Sequence, residues 1–134
     1  MKNSIVHFEI PADDVKRAIK FYEKTFGWSI TEFPMEGEDK YYGVRTTEVG
    51  KDQRPIEPGA INGGLMKRKN KGQPFMNYIN VDSIDSMLKV IEKNGGKICL
   101  PKTEIGKGMG WICAFSDTEG NMMGLHQMGD MGKK

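Results

Sequence analysis

The sequence contains one pattern twice, and this internal repeat constrains the fold more than any other feature. The first copy begins with the alternating stretch Val6–Ile10, continues through an acidic turn into a helical stripe, and stops at Gly27. Moving 69 positions along the chain returns the same order, because Asp13 corresponds to Asp82 and Gly27 to Gly96. A repeated supersecondary unit predicts two related modules.

Each copy predicts a strand, a helix and three further strands. Alternation in Val6–Ile10 favours a two-faced strand, and Asp13 or Asp14 can cap the helix that follows. In the second copy the cap is Asp82 or Ser83. The apolar stripe of the first helix is Val15, Ala18, Ile19, Tyr22 and Phe26.

These elements predict an α+β fold in which two βαβββ modules form a curved mixed sheet around a cup. We expect one domain over 1–134, with module one at about 3–67 and module two at about 74–128. Pairing of the two modules within one chain and pairing across a dimer both remain open.

Composition excludes several classes of function. No run approaches the roughly 20 apolar residues of a membrane span, and the N-terminus lacks a signal peptide's apolar region, so we expect a cytoplasmic protein without a membrane partner. A net charge of +2 does not indicate nucleic acid. Cys99 and Cys113 lack the spacing of a metal finger or redox pair and are expected to be buried, reduced thiols.

Strand alternation places both histidines of the chain among the residues that face the cup. In the first strand, His7 and Glu9 point away from the face that packs on the helix. The expected ligand-contacting residues are His7, Glu9, Asn62, Met66, Met76, Tyr78, Trp111, Met122 and His126. Such a wall suits a small apolar or amphipathic molecule, and methionine adapts to irregular shapes. The alternative is that the methionines simply fill a closed core.

The chain resembles the vicinal oxygen chelate superfamily, which includes glyoxalase I, extradiol dioxygenases, methylmalonyl-CoA epimerase and bleomycin resistance proteins. The matching pieces are His7 through Gly27-Trp28, Gly63-Gly64-Leu65-Met66, Val81-Asp82 through Gly95-Gly96-Lys97, and Asp117-Thr118-Glu119-Gly120-Asn121 with Gly124-Leu125. The resemblance covers nearly the whole chain. It implies the glyoxalase/bleomycin resistance/dioxygenase fold, with paired βαβββ modules and a homodimer.

The resemblance also implies where a divalent metal would bind in metal-dependent members. Their four ligand positions match His7, Gly64, Met76 and Gly124, so only the first offers a side chain suited to a hard cation. Glu9 and His126 lie two residues from ligand positions on the same face, about 6–7 Å along the strand. His7, Glu9 and His126 are therefore weak candidates for a displaced metal site, and His7 and Glu9 are candidates for acid–base catalysis.

These observations predict a metal-poor superfamily member that binds a small molecule, with the bleomycin-resistance type as its model. The second hypothesis is a metal-dependent lyase, isomerase or dioxygenase with a non-standard centre that includes His7. The third is an interaction module with no small-molecule role, which a filled cup would favour.

Overall fold

The computed structural model describes residues 3–33, 40–106 and 108–129, and these contain two helices and eight strands. The elements are β1 (Ile5–Ala12), α1 (Val15–Phe26), β2 (Ser29–Phe33), β3 (Tyr41–Arg45), β4 (Gly63–Lys67), β5 (Met76–Asn80), α2 (Ile84–Lys93), β6 (Lys97–Glu104), β7 (Gly110–Ser116) and β8 (Met122–Met128). The order strand, helix and three strands occurs twice, so the predicted α+β class with two βαβββ modules is confirmed.

The chain divides into two compact units whose border differs slightly from the module borders expected from sequence. One unit is His7–Phe75, and the other joins the residues up to Val6 to the stretch that begins at Met76. A hydrogen bond contributes to this division, because the Asn80 N–H donates to the Ser4 carbonyl oxygen at 2.8 Å. The beginning of β1 therefore clusters with the second unit.

In module one the strand order is β2-β3-β4-β1, with β1 and β4 parallel and the other neighbours antiparallel. The core lies between this sheet and α1. Its buried residues are Ile10, Ala12, Ile30, Val44 and Leu65, and Phe8, Val15, Ala18, Ile19, Tyr22, Trp28 and Tyr42 pack against them. Phe8 and Ile10 thus face the helix, as the alternation predicts.

The ends of α1 follow from local chemistry. The Arg17 N–H donates to the Asp14 side chain at 3.0 Å, so Asp14 is the N-cap. Gly27 ends the helix at φ 73°, in the left-handed region that glycine adopts without strain. The prediction was wrong for Phe26, which is 60% exposed. Its ring lies near Trp28 at the end of the helix instead of in the core.

Module two repeats this plan in the order β5-β8-β7-β6, with β5 and β8 parallel. Ser83 caps α2 through the Ser86 N–H. The buried residues on the helix side of the sheet are Val81, Ile84, Cys113 and Leu125. The two helix-side cores are therefore built from equivalent elements of the repeat.

The two cysteines differ in their surroundings. Cys113 is buried, and this burial raises the pKa of its thiol, while a hydrogen bond with the Leu125 backbone partly opposes the shift. The prediction of burial was wrong for Cys99, which is exposed on β6. That strand runs to Glu104, and irregularities in its pairing with β7 change which side chains face the core.

None of the helices in the described part of the chain is long and apolar enough to cross a membrane. The sequence predicts a frayed tail over 129–134, and residues 130–134 lie outside the described part of the chain.

Replacement of Leu65 tests whether the core of module one carries the stability of that module. Leu65 is fully buried, so Leu65→Ala removes apolar contacts and leaves a cavity, which costs about 2–5 kcal/mol. The free energy of unfolding from urea denaturation measures this loss. Leu100→Ala is the matched control, because Leu100 is 40% exposed and its truncation is expected to cost under about 1 kcal/mol. Equal losses would contradict the assigned core.

The turn between β7 and β8 predicts a specific dependence of stability on pH. The Asp117 carboxylate accepts the Asn121 N–H at 2.9 Å and the Glu119 N–H at 2.8 Å. These bonds lower the pKa of Asp117 in the folded state, with Asn121 the largest cause. Because the folded pKa lies below the unfolded one, the stabilisation is complete above the unfolded pKa and disappears as pH falls through the folded pKa.

Comparison with Asp117→Asn isolates this effect. The difference in unfolding free energy between the wild type and Asp117→Asn is expected to shrink as the pH is lowered from about 7 to about 2. Thermal or urea denaturation across this range measures it. A difference that stays constant with pH would show that the ionised carboxylate does not stabilise the turn.

Candidate functional site

Three polar side chains of module one form a connected cluster on the sheet face opposite α1, called here the free face of module one. His7 Nε2 and the Tyr41 hydroxyl oxygen are 2.8 Å apart, and the Tyr41 hydroxyl donates to Glu9 Oε2 at 3.1 Å. His7 Nε2 and Glu9 Oε2 are 3.8 Å apart. β1 supplies His7 and Glu9 at alternate positions, and β3 supplies Tyr41.

The hydrogen bond between Tyr41 and Glu9 has a defined direction, because a carboxylate can only accept. A tyrosine hydroxyl has one proton, and Tyr41 donates it to the carboxylate of Glu9. The roles of His7 Nε2 and the Tyr41 oxygen in the other hydrogen bond depend on the tautomer of His7.

A glycine on β4 makes room for the Tyr41 ring. Gly64 lies beside Glu9 in the parallel ladder, and a Cβ atom on Gly64 would collide with the Tyr41 hydroxyl and ring. Tyr41 thus occupies the space of the side chain that residue 64 lacks. This is the position that the superfamily resemblance gives to the second metal ligand.

Apolar groups surround this cluster on the free face of module one. The Phe33 ring meets the Tyr41 ring edge-on with centroids 6.4 Å apart, and Phe33 is 38% exposed. Met66 pairs with Tyr41 across the β3–β4 ladder. Gly43 on β3 pairs with Gly64, and among the described residues the nearest atom to a Cβ on Gly43 is the Thr31 carbonyl oxygen at 4.0 Å. In the described part of the chain, the face therefore combines a polar cluster with an apolar surface and room beside Gly43.

Module two has the same glycine with a different tyrosine. Tyr78 lies beside Gly124 in the β5–β8 ladder, and its ring covers the place where a Cβ of Gly124 would stand. Tyr78 and Met76 are buried with Ala114 on the sheet face opposite α2. The alternation of β8 puts Met122 and His126 on the same face. Met122 is 38% exposed, and His126 is partly buried.

Two of the predicted ligand-contacting residues have structural contacts. The Asn62 side chain accepts the N–H groups of Thr46 at 2.8 Å and Thr47 at 3.2 Å, so it holds the loop after β3, and its contact with a ligand stays a prediction. Trp111 packs in the helix-side core of module two, where Lys102 lies 5.0 Å from its ring centre. This placement corrects the assignment of Trp111 to the wall of the cup.

The sequence analysis missed Tyr41 and Phe33. Both lie on strands for which no face was assigned, although alternation offered a signal. Tyr42 and Val44 are apolar enough to mark the helix side of β3, which leaves Tyr41 and Gly43 on the opposite face. The contact between Tyr41 and Gly64 depends on strand order and register, which no local pattern contains.

The side chains at the four expected ligand positions do not fit the usual divalent metal centre. Gly64 and Gly124 supply no donor atom, and tyrosine rings fill the space above them. Met76 offers a soft thioether, and His7 Nε2 is hydrogen-bonded to the Tyr41 hydroxyl at 2.8 Å. Within 3–33, 40–106 and 108–129, no three His, Cys, Asp or Glu side chains are grouped to hold a metal, which gives no support to the displaced set of His7, Glu9 and His126.

Comparison with known families agrees with the architecture. Residues 4–125 match the family model described as the Glyoxalase/Bleomycin resistance protein/Dioxygenase superfamily. The chain belongs to this superfamily.

Two curated relatives support membership of this superfamily. A "Glyoxylase-like domain-containing protein" of Didymella fabae is 35% identical over 121 residues, which cover 90% of this chain and 91% of the relative. "Putative glyoxylase CFP32" of Mycobacterium tuberculosis is 30% identical over 122 residues. This match covers 89% of the chain but only 43% of the mycobacterial protein, so the chain spans less than half of that relative's length.

Solved structures of the superfamily share the fold at low sequence identity. Methylmalonyl-CoA epimerase from Mycobacterium tuberculosis is similar with a TM-score of 0.64 and 15% identity, over 92% of this chain and 87% of that one. A Streptomyces coelicolor methylmalonyl-CoA epimerase in complex with 2-nitronate-propionyl-CoA has a TM-score of 0.66 and 16% sequence identity, over 96% of this chain and 99% of that one. The TM-scores show a common fold. Because the sequence identities are low, the chemistry of this chain has to be argued from its own side chains.

The two tyrosine–glycine contacts predict unequal costs for adding a methyl group. In Gly64→Ala the new Cβ meets the far end of the partly exposed Tyr41 side chain, which can rotate away and exchange its hydrogen bonds to His7 and Glu9 for bonds to water, at an expected cost of about 1 kcal/mol. In Gly124→Ala it meets the buried Tyr78 ring close to its attachment, and overpacking is expected to cost about 1–3 kcal/mol. Urea denaturation of both variants measures the difference. A larger loss for Gly64→Ala would contradict this ranking.

Proposed function

We propose that the protein binds a small apolar or amphipathic molecule on the free face of module one, without the four-ligand metal centre of the superfamily's metalloenzymes. His7, Tyr41 and Glu9 orient the molecule, and Phe33 and Met66 provide apolar contact. The observation that carries this proposal is the position of the Tyr41 hydroxyl, between His7 and Glu9 in the space above Gly64.

Partial exposure of the cluster supports a binding role. The His7 side chain is 34% exposed and that of Glu9 is 22% exposed, so solvent reaches both groups. Convergent polar groups beside an apolar surface are typical of sites that bind small organic molecules.

The names of the relatives suggest enzymes, and one epimerase structure is a complex with 2-nitronate-propionyl-CoA. Identities of 15–16% with the epimerases carry the fold alone, so their ligand does not transfer to this chain. The metal-dependent lyase, isomerase or dioxygenase remains the alternative function. It requires the protein to assemble a metal centre from residues outside the four expected positions.

A screen of small aromatic compounds by NMR tests the proposal on chelator-treated protein. Binding is expected to shift backbone amide signals of β1, β3 and β4 without added metal. Tyr41→Phe removes one hydroxyl while the ring still covers Gly64, and is expected to weaken binding about fivefold, equivalent to about 1 kcal/mol. Tyr42→Phe is the matched control, because Tyr42 is the next residue of β3 and faces the helix.

Two outcomes would contradict this function. Equal affinities for Tyr41→Phe and Tyr42→Phe would show that the cluster does not contact the ligand. Stoichiometric binding of a divalent cation that is lost in His7→Ala would instead favour the metal-dependent alternative.

A further inference from the structure

We propose that the Arg45 side chain binds the anionic end of the ligand, and that this end is a carboxylate attached to an aromatic body. This inference rests on the proposed function and names the class of ligand for the free face of module one. It follows from the place of Arg45 on that face and from the groove that its side chain lines.

Strand alternation places Arg45 on the same face as Tyr41 and Gly43. Tyr42 and Val44 pack in the core beside α1, so the odd-numbered residues of β3 point away from the helix. Arg45 is two residues from Gly43, or roughly 6–7 Å along the strand. A ring that rests beside Gly43 can therefore extend a short polar arm to Arg45.

Arg45 lines an open groove at the end of β3, called here the Arg45 groove. The groove has a volume of about 590 Å³, and it is lined by Gly27, by Ser29 and by residues 45–49. Ser29 is the ladder partner of Arg45, so the groove includes the paired ends of β2 and β3. Its volume is typical of sites that hold small organic molecules.

Hydrogen bonds hold the chain after β3 and thereby fix one wall of the Arg45 groove. The Thr46 N–H donates to the side-chain oxygen of Asn62 at 2.8 Å, and the Thr46 hydroxyl donates to the Ile61 carbonyl oxygen at 2.8 Å. The Ile56 N–H donates to the Glu48 carbonyl oxygen at 2.9 Å. A wall that is fixed before binding loses little conformational entropy when a ligand arrives.

The guanidinium group of Arg45 is available to a ligand. In the described part of the chain it has no hydrogen bond or ion pair, whereas Arg68 of the same module pairs with Asp13 at 2.9 Å. A guanidinium group has only N–H donors, so its partner must be an acceptor. The planar fork of these donors matches the two oxygens of a carboxylate.

The charges around the Arg45 groove favour a singly charged carboxylate over a doubly charged phosphate. Among the described residues that line the groove, Arg45 and Glu48 carry formal charges of opposite sign. Arg45 balances one negative charge of a ligand, and a second would meet only the repulsion of Glu48. Glu9 lies two strands away on β1, about 10 Å across the sheet, so solvent and salt weaken its repulsion.

The side chains beyond Gly43 suit an aromatic ligand body. The rings of Phe33 and Tyr41 lie edge to face with centroids 6.4 Å apart. Among the described residues, the nearest atom to a Cβ on Gly43 is the Thr31 carbonyl oxygen at 4.0 Å, which leaves room for a ring. Aromatic rings pack favourably against such a pair. An aromatic acid can thus contact these rings while its carboxylate reaches Arg45.

Two compounds of nearly the same shape test this selection. Indole-3-acetate and indole-3-acetamide share the indole ring, and only the acetate is charged. We expect the wild-type protein to bind the acetate about tenfold more tightly, in keeping with a charge-assisted hydrogen bond. Dissociation constants come from NMR titration of the amide signals of β2, β3 and β4, and the preference is expected to fall at high salt.

Two variants separate the local charge from the net charge. Arg45→Gln removes the guanidinium group from an exposed position and is expected to reduce the preference to about twofold or less. Lys51→Gln makes the same change of net charge. Lys51 is exposed in the loop that follows and does not belong to the described lining of the groove. This control is expected to keep the wild-type preference.

The outcomes distinguish failure of the selectivity from failure of the site. Equal binding of both compounds, or tighter binding of the acetamide, would overturn the anionic end while leaving a small-molecule site on the free face. A preference that survives in Arg45→Gln, or that Lys51→Gln lowers equally, would also overturn the role of Arg45. If neither compound shifted these signals and the aromatic screen were negative, both the selectivity and the proposed function would fail.

Discussion

The absence of a side chain at residue 64 is the constraint on which the candidate site depends. Tyr41 can reach both His7 and Glu9 only because its ring occupies the space that a Cβ at this position would need. A carboxylate or imidazole at residue 64 would supply a metal ligand and would displace the tyrosine. With glycine at residue 64, the hydroxyl group of Tyr41 therefore occupies the place where a metal ligand would otherwise stand.

Both modules have a glycine at the equivalent position, and a tyrosine from a different strand covers it in each. The ladder partners Glu9–Gly64 and Tyr78–Gly124 are equivalent in the repeat. In module two the residue beside the glycine is itself the tyrosine that covers it, and it is buried with Met76 and Ala114. In module one the neighbour is a carboxylate, and the covering tyrosine comes from β3. The same backbone thus supports an apolar cluster in one module and a polar, partly exposed cluster in the other.

Local sequence patterns were sufficient for the architecture because each element carries its own signals. Alternation marked β1, helical spacing with Asp14 and Gly27 marked α1, and repetition supplied the second module. The errors arose where tertiary contacts decide. Trp111 packs in the helix-side core of module two, and irregular pairing of β6 exposes Cys99. Neither strand register nor bulges are visible in a local window of sequence.

The candidate site was only half predictable for the same reason. His7 and Glu9 share a strand, so alternation alone brings them to one face. Their third partner comes from β3, more than thirty residues away, and reaches them across Gly64. Its role is set by three strands in register, and the direction of its proton is set by the carboxylate it meets. Shared backbone geometry thus explains why distant superfamily members have one fold. The polar cluster of this site depends on a few side chains that the shared fold does not determine.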